Sequence, residues 1–216
     1  MTQIPQDKLT MLFSSTRLNA YTNAQEHEEN LALIGTISHK IGILEIVLRN
    51  RVDRLMRALQ GQDWLMSLPS GIEQKGELQT QKRDKFISTQ SLGFWVKIIE
   101  HYKIHNKIFH KDFLENLNFK KYYPKNKNRF SRGMYFRDYH KVSAILQLLC
   151  LIRNRAFHFE NLYKFTDNGY PRLNAKITNK HYQSIYIAIE PSKIIDFLND
   201  LIASFDERLI TYAENV

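Results

Sequence analysis

Apolar residues along this chain recur mostly with a helical period. Between residues 31 and 59, Leu31, Ile34, Ile37, Ile41, Leu44, Leu48, Val52, Leu55 and Leu59 return at spacings of three and four, which turns one face of a long helix toward a core. A second stripe, Val142, Ile145, Leu149, Ile152, Ala156 and Phe159, predicts a helix over 136–160. Shorter helices are expected over 8–20, 72–88 and 91–103, the last opened by Ser91-Leu92-Gly93-Phe94-Trp95. Pro191 suits the first position of a final amphipathic helix. Residues 121–133, KYYPKNKNRFSRG, and 166–173, TDNGYPRL, read as loops punctuated by proline and glycine. The run YQSIYIAI, 182–189, fits a short strand or a buried segment. No repeat, low-complexity tract or linker divides the chain. It therefore reads as one all-α domain over 1–216, a helical bundle with peripheral helices and room for one short strand or hairpin.

Composition narrows the class. With 43% hydrophobic residues and only 8 Gly and 5 Pro, the chain is no disordered tail. A single cysteine, Cys150, rules out an internal disulfide framework and fits a reducing compartment. The N-terminus has no basic flank leading into an apolar stretch, and the apolar run AILQLLCLI has nine residues, short of a membrane span. A cytoplasmic protein without a membrane partner is the expectation.

Charge changes the picture further. The net charge is +9, and its distribution points to a polyanion. Between 120 and 141 stand Lys120, Lys121, Lys125, Lys127, Arg129, Arg132, Arg137 and Lys141 against the one acid Asp138. Tyr122, Tyr123, Phe130, Tyr135, Phe136 and Tyr139 are interleaved with them. Cations for a backbone and rings for bases suit single-stranded nucleic acid. The competing reading is a solvated basic loop with its rings packed underneath.

The end of the second stripe, CLIRNRAFHFEN at 150–161, carries the candidate chemistry. With Ile152 at zero, Arg153, Asn154 and His158 lie at about 100°, 200° and 240° around the helix, away from the core stripe. Their neighbours on that far face are Ser143, Leu146, Gln147, Cys150 and Phe157, with no lysine and no acid. A face so neutral is expected to be covered, either by a second subunit or by another helix of the same chain. Histidine serves readily as an acid or base near neutral pH. Arginine offers a fork of donors to phosphate oxygens. Asn154, one turn before His158, is placed to orient the imidazole. Together they suit metal-free RNA cleavage, in which the ribose 2′-hydroxyl attacks the adjacent phosphorus. Arg153 and His158 stand about 140° apart, so two copies facing each other would serve one phosphate better than one. Glu45, inside ILEIVL, is expected to pair with Arg49 one turn on, as a structural brace or as support behind the site.

These residues resemble a known family. RNRAFH, 153–158, is similar to the R-x(4–6)-H motif of the HEPN superfamily, including the polar residue after the arginine. ILEIVLRNRVDRLM, 43–56, and SLGFWVKIIE, 91–100, resemble segments of Abi-like abortive-infection proteins of the D/F type. The likeness runs from about residue 10 to 210. It implies an all-α HEPN-type bundle and a metal-independent endoribonuclease working through a homodimeric site in phage defence or toxin–antitoxin control. Arg153 and His158 would be catalytic and Asn154 their helper, with Glu45 a further carry-over. Such toxins often carry tyrosine two places after the histidine. Here Glu160 stands there, so modification of that tyrosine is not expected. Some Abi-like proteins associate with a small structured RNA, which the basic segment would suit.

Other chemistries fit less well. His101 and His105, four apart with His110 near, resemble a zinc pair but lack HExxH order, a usable cysteine and an evident third ligand. Cys150 in an apolar helix reads as core, and no glycine-rich phosphate loop appears. No metal or cofactor is expected. Two alternatives to a nuclease stay open. One is a non-catalytic protein that recognises a structured small RNA through the basic aromatic segment. The other is an interaction protein whose far helix face docks a partner.

Overall fold

A computed structural model describes residues 4–214. The chain runs α1 (Gln6–Phe13), α2 (Ser15–Leu18), α3 (Ala24–Gln60), α4 (Arg83–Thr89), α5 (Leu92–His101), α6 (Lys111–Asn116) and α7 (Asp138–Phe157). The hairpin β1 (Asn174–Thr178) and β2 (Ser184–Ala188) follows, then α8 (Ile194–Ala203) and α9 (Arg208–Glu214). The fold is mostly helical, with one small antiparallel hairpin in register Asn174↔Ala188 through Thr178↔Ser184.

Helix α3 is the axis. Asn23 caps it by accepting from the Glu26 amide at 2.9 Å, which meets one of the first turn's free donors, while Glu26 accepts from the Thr22 amide at 3.2 Å and ties the entering chain to the helix. Gly61, at φ 91°, stops it. Ile37, Ile41, Leu44, Leu48 and Val52 are fully buried, as the spacing predicts, against α5, α7 and α8. Leu59 is not, because the helix outruns the layer packed on it and residues 57–60 are all exposed. By length and composition α3 is able to cross a membrane, a feature the nine-residue count missed. In this fold its apolar stripe forms the core.

Three expected helices end elsewhere. The one over 8–20 breaks at Ser14, whose φ of 66° ends α1 and whose hydroxyl caps α2. Of 72–88 only Arg83–Thr89 is α-helical. Gly71 and Gly76 take φ of 91° and 74° upstream, a conformation no helix continues through. Helix α7 stops at Phe157, and Phe159, expected in its core stripe, is half exposed. The strand over 184–188 finds its partner in 174–178, where no strand was expected. Ala175, Ile177 and Ile187 of the hairpin are buried, and β1 packs on α7.

Three histidines lie in the core. His27, His105 and His140 are buried, and desolvation holds each below its ordinary value of 6.5, with Arg17 adding to the effect at His27 and Arg137 at His140. At these three positions the unfolded chain takes up protons more readily than the folded chain, so stability falls as pH drops through the ordinary histidine range. Three such groups set a ceiling of about 4 kcal/mol per pH unit. Urea unfolding between pH 7.5 and 5.5 is expected to show a falling midpoint, and a flat profile would contradict three neutral buried imidazoles.

Candidate functional site

The last turn of α7 carries the Arg153–His158 segment, and an unusual cap holds it. His158 is the cap residue, and Phe159 after it has φ 53°. The Phe159 amide donates to the Ala156 carbonyl at 3.0 Å and the Glu160 amide to the Arg155 carbonyl at 2.8 Å. This is a Schellman cap with phenylalanine where glycine usually stands. A left-handed non-glycine residue costs on the order of 1–3 kcal/mol and persists only where surroundings impose it. Here they do. Arg17 Nη1 donates to the Phe159 carbonyl at 2.6 Å, and the Tyr21 hydroxyl reaches the same oxygen at 3.5 Å. Asn30 Nδ2 donates to the Glu160 carbonyl at 3.2 Å, and its Oδ1 accepts from the Leu162 amide at 2.8 Å. Asn161 Nδ2 donates to the Ala20 carbonyl and to Glu26, both at 2.8 Å.

Sequence reasoning overlooked Arg17, Tyr21, Asn30 and Asn161. One signal was present. Asn30 is a polar residue in phase with Ile34, Ile37 and Ile41, and it is fully buried, so it had to be satisfied by something distant.

The pairings differ from expectation. Glu45 does not pair with Arg49. Its Oε1 accepts from Arg153 Nε at 2.8 Å, across the α3–α7 contact. Arg49 instead donates to the Ser88 carbonyl at 3.3 Å, while its Nε is buried without a partner among the described residues. Around α3, Glu45 sits on the side facing α7, and Arg49 is drawn toward α4. Asn154 does not orient the imidazole. Its Oδ1 accepts from Arg153 Nη1 at 3.4 Å, and the His158 side chain, which is exposed, has no hydrogen bond among the described residues. The Arg153 guanidinium is thus held at Nε and Nη1 and also lies 5.2 Å from the centre of the Phe157 ring. Its Nη2 carries no hydrogen bond or ion pair among the described residues.

The far face of α7 is covered in part. Leu146 is buried, and Ser143, Gln147 and Cys150 are half-buried. Burial, with Glu45 nearby, pushes the Cys150 thiol up to about 11, which makes it a poor nucleophile at neutral pH. The open end holds Phe157, 47% exposed, and Ile46 of α3, 49% exposed. Gly35 and Gly42 lie on the same side of α3, with nothing within 4 Å of where a side chain would begin.

The basic segment divides along both readings. Lys120, Lys121, Lys125, Lys127, Arg129 and Arg137 are exposed. Lys121 pairs with Asp200 at 2.6 Å, and Lys141 donates to the Leu114 carbonyl. The Arg132 side chain lies outside the described residues. Of the six rings, Tyr122, Tyr123, Phe130 and Phe136 are buried and only Tyr135 and Tyr139 are exposed. The packing of Tyr122 on Phe197, of Tyr123 on Tyr170 and of Phe130 on Phe136 accounts for the four. The expected stacking surface is therefore mostly core. Nor are the two candidate regions together. The basic loop leads into α7, and the Arg153–His158 segment leaves it about 28 Å further along. Among the described residues no group of three or more His, Cys, Asp or Glu is placed to hold a metal.

Compared with protein-family models, with curated proteins and with solved structures, the chain has no match.

Proposed function

We propose that this protein is a metal-independent endoribonuclease of the HEPN, Abi-like kind, acting in the cytoplasm in phage defence or toxin–antitoxin control. One observation carries the reading. Arg153 is anchored at Nε by Glu45 and at Nη1 by Asn154 while Nη2 stays open among the described residues, and His158 stands exposed on a cap that three distant residues, Arg17, Tyr21 and Asn30, hold. A guanidinium fixed this way presents a preset donor to a phosphate, so little reorganisation is needed as charge grows on phosphorus. His158 then takes the 2′-hydroxyl proton or returns one to the leaving 5′-oxygen. The attack of O2′ on phosphorus forms one P–O bond and breaks another, leaving a 2′,3′-cyclic phosphate and a free 5′-hydroxyl.

The second copy completes the site. Arg153 and His158 point apart on one helix, and of the apolar side chains at that end Phe157 and Ile46 stay half exposed. Two glycines inside a helix cost about 1 kcal/mol each relative to alanine, and close approach of another backbone is one return for that cost. The first test is incubation of the purified protein with total RNA in EDTA, with the new ends mapped and the oligomeric state measured. Cutting that leaves cyclic phosphate ends, by a dimer, is the expected result. Gly42→Arg fills open space on α3 and favours helix, so the monomer should stay folded while dimer and cutting are both lost. A dimeric Gly42→Arg variant that cuts at the wild-type rate would remove this face from the reading. A non-catalytic RNA-binding protein is the second reading, favoured by the unpaired cations of the basic loop.

A further inference from the structure

Two grooves, of about 770 and 560 Å³, lie side by side, with Lys125 and Lys127 in the lining of both. The first is bounded by Lys120, Arg129 and Tyr135, within the basic loop. The second lies between that loop and the hairpin, and is bounded by Tyr170, Tyr186 and Asn174. No acidic side chain lines either groove. Lys120, Lys125, Lys127 and Arg129 are exposed, and none has an ion-pair partner among the described residues. An ordinary solvated surface intersperses both signs, and this chain has 22 acids to offer. Four uncompensated cations around two joined grooves are a local positive field.

The rings are also in place, though mostly not those of the basic segment itself. Tyr135 is 72% exposed in the first groove, and Tyr186, from β2, is 51% exposed in the second. Tyr170 stands beside Tyr186 and donates its hydroxyl to the Tyr186 carbonyl at 3.3 Å.

The ridge between the grooves is rigid. Asn126, between the two lysines, is buried, and its Oδ1 accepts from the Ala188 amide at 2.8 Å. Its Nδ2 donates to the Ala188 and Phe119 carbonyls at 2.7 and 2.9 Å. One side chain thus extends the hairpin's pairing into the loop. The Glu190 amide donates to the Tyr122 carbonyl at 3.0 Å, and the Tyr123 ring packs edge-on against Tyr170 at 5.0 Å. The backbone that carries Lys125 and Lys127 is therefore held against the hairpin before any ligand arrives, which spares loop-ordering entropy on binding.

We infer that the paired grooves form a track for single-stranded RNA, with phosphates along the Lys125–Lys127 ridge and bases stacked on Tyr186 and Tyr135 to either side. A duplex hides the faces of its bases, whereas a single strand offers them. The inference rests on the proposed function only in naming RNA as the nucleic acid. The track adjoins the hairpin and the start of α7, so it grips RNA apart from the Arg153–His158 end.

A labelled six-nucleotide oligouridine, titrated by fluorescence anisotropy against the His158→Ala protein, tests it without cleavage. Tyr186→Ala and Tyr135→Ala are each expected to weaken binding at least fivefold, since stacking on one ring is worth about 1–3 kcal/mol per base. The double variant Lys125→Ala/Lys127→Ala is expected to lower the slope of log affinity against log salt by about 1.4, two phosphates at about 0.7 each. Both tyrosines are exposed, so the fold should stand, and circular dichroism checks it. Unchanged affinity in both tyrosine variants, an unchanged salt slope, or tighter binding of a duplex of the same length would overturn the track. Cleavage by the wild-type protein without oligouridine binding sinks the track and leaves the nuclease. Tyrosine-dependent binding without cleavage does the reverse.

Discussion

His158→Ala is expected to abolish RNA cleavage and leave the folded protein otherwise unchanged. The side chain is exposed and makes no hydrogen bond among the described residues, so its removal should move stability by no more than about 0.5 kcal/mol. Loss of a positioned acid or base lowers a rate by about 10²–10⁴-fold. Arg153→Ala should act on the same step by removing charge stabilisation worth about 10²–10³-fold. It also frees Glu45, but that carboxylate is near the surface, so the stability change should stay within about 1 kcal/mol. Arg153→Lys keeps the charge and loses the fork, and a point charge cannot hold Glu45 and a phosphate together. It should not restore the rate. Glu45→Gln retains an acceptor for Nε and should cost less than Arg153→Ala, which marks Glu45 as a positioning residue. Initial rates on labelled RNA in EDTA, with a thermal melt of each variant, read all four. Wild-type cutting by both alanine variants would place the chemistry elsewhere in the protein or outside it.

The largest stability effect is expected at Asp53. Its side chain is 7% exposed and receives Arg83 at 2.5 Å, Arg57 at 2.7 Å and the Trp64 indole at 3.0 Å. Burial alone would raise its pKa, and the hydrogen bonds from Arg83, Arg57 and Trp64 outweigh that and hold it below 3.8. Asp53→Ala leaves two guanidinium groups and a buried indole donor facing a void. Removing one partner of a buried ion pair costs about 3–5 kcal/mol. Arg57 and Arg83 keep partial access to water, which places the expected loss near 3 kcal/mol, a large share of a typical total of about 5–15. Because the folded value is depressed, this stabilisation is present above the unfolded carboxylate's value and lost as pH falls through the folded one. The alanine variant should lose less stability than wild type on acidification below pH 4. Urea midpoints at pH 7 and pH 3 give both results. A loss under 1 kcal/mol at pH 7 would mean that this cluster does not brace α3 against α4.

Both sites show where the sequence stops being sufficient. The Asp53 partners lie 4, 11 and 30 residues away. Of these, only Arg57, one turn on, falls within the reach of helix spacing. Glu45 shows the same limit, since its local partner Arg49 met the spacing rule and the real partner lies 108 residues on. The basic segment was legible as charge, because exposed lysines need nothing from the rest of the chain. Its rings were not, because whether a tyrosine faces solvent depends on what covers it. Tyr122 is covered by Phe197 and Tyr123 by Tyr170. Tyr186, in the groove opposite, carried no signal in its own neighbourhood.

By itself the sequence determined the helices that position everything else. The long apolar stripe of α3, the stripe of α7 and the loop between Lys121 and Gly133 follow from local periodicity and from proline and glycine, which act within a few residues. It also determined the excess of positive charge and the spacing of Arg153 and His158. Only the tertiary structure decided that Arg153 is held by Glu45, that a left-handed Phe159 fixes the end of α7, and that a hairpin supplies half of the groove beside Lys125. Those outcomes rest on contacts between distant segments, whose energies depend on which surfaces the packed helices leave for each other.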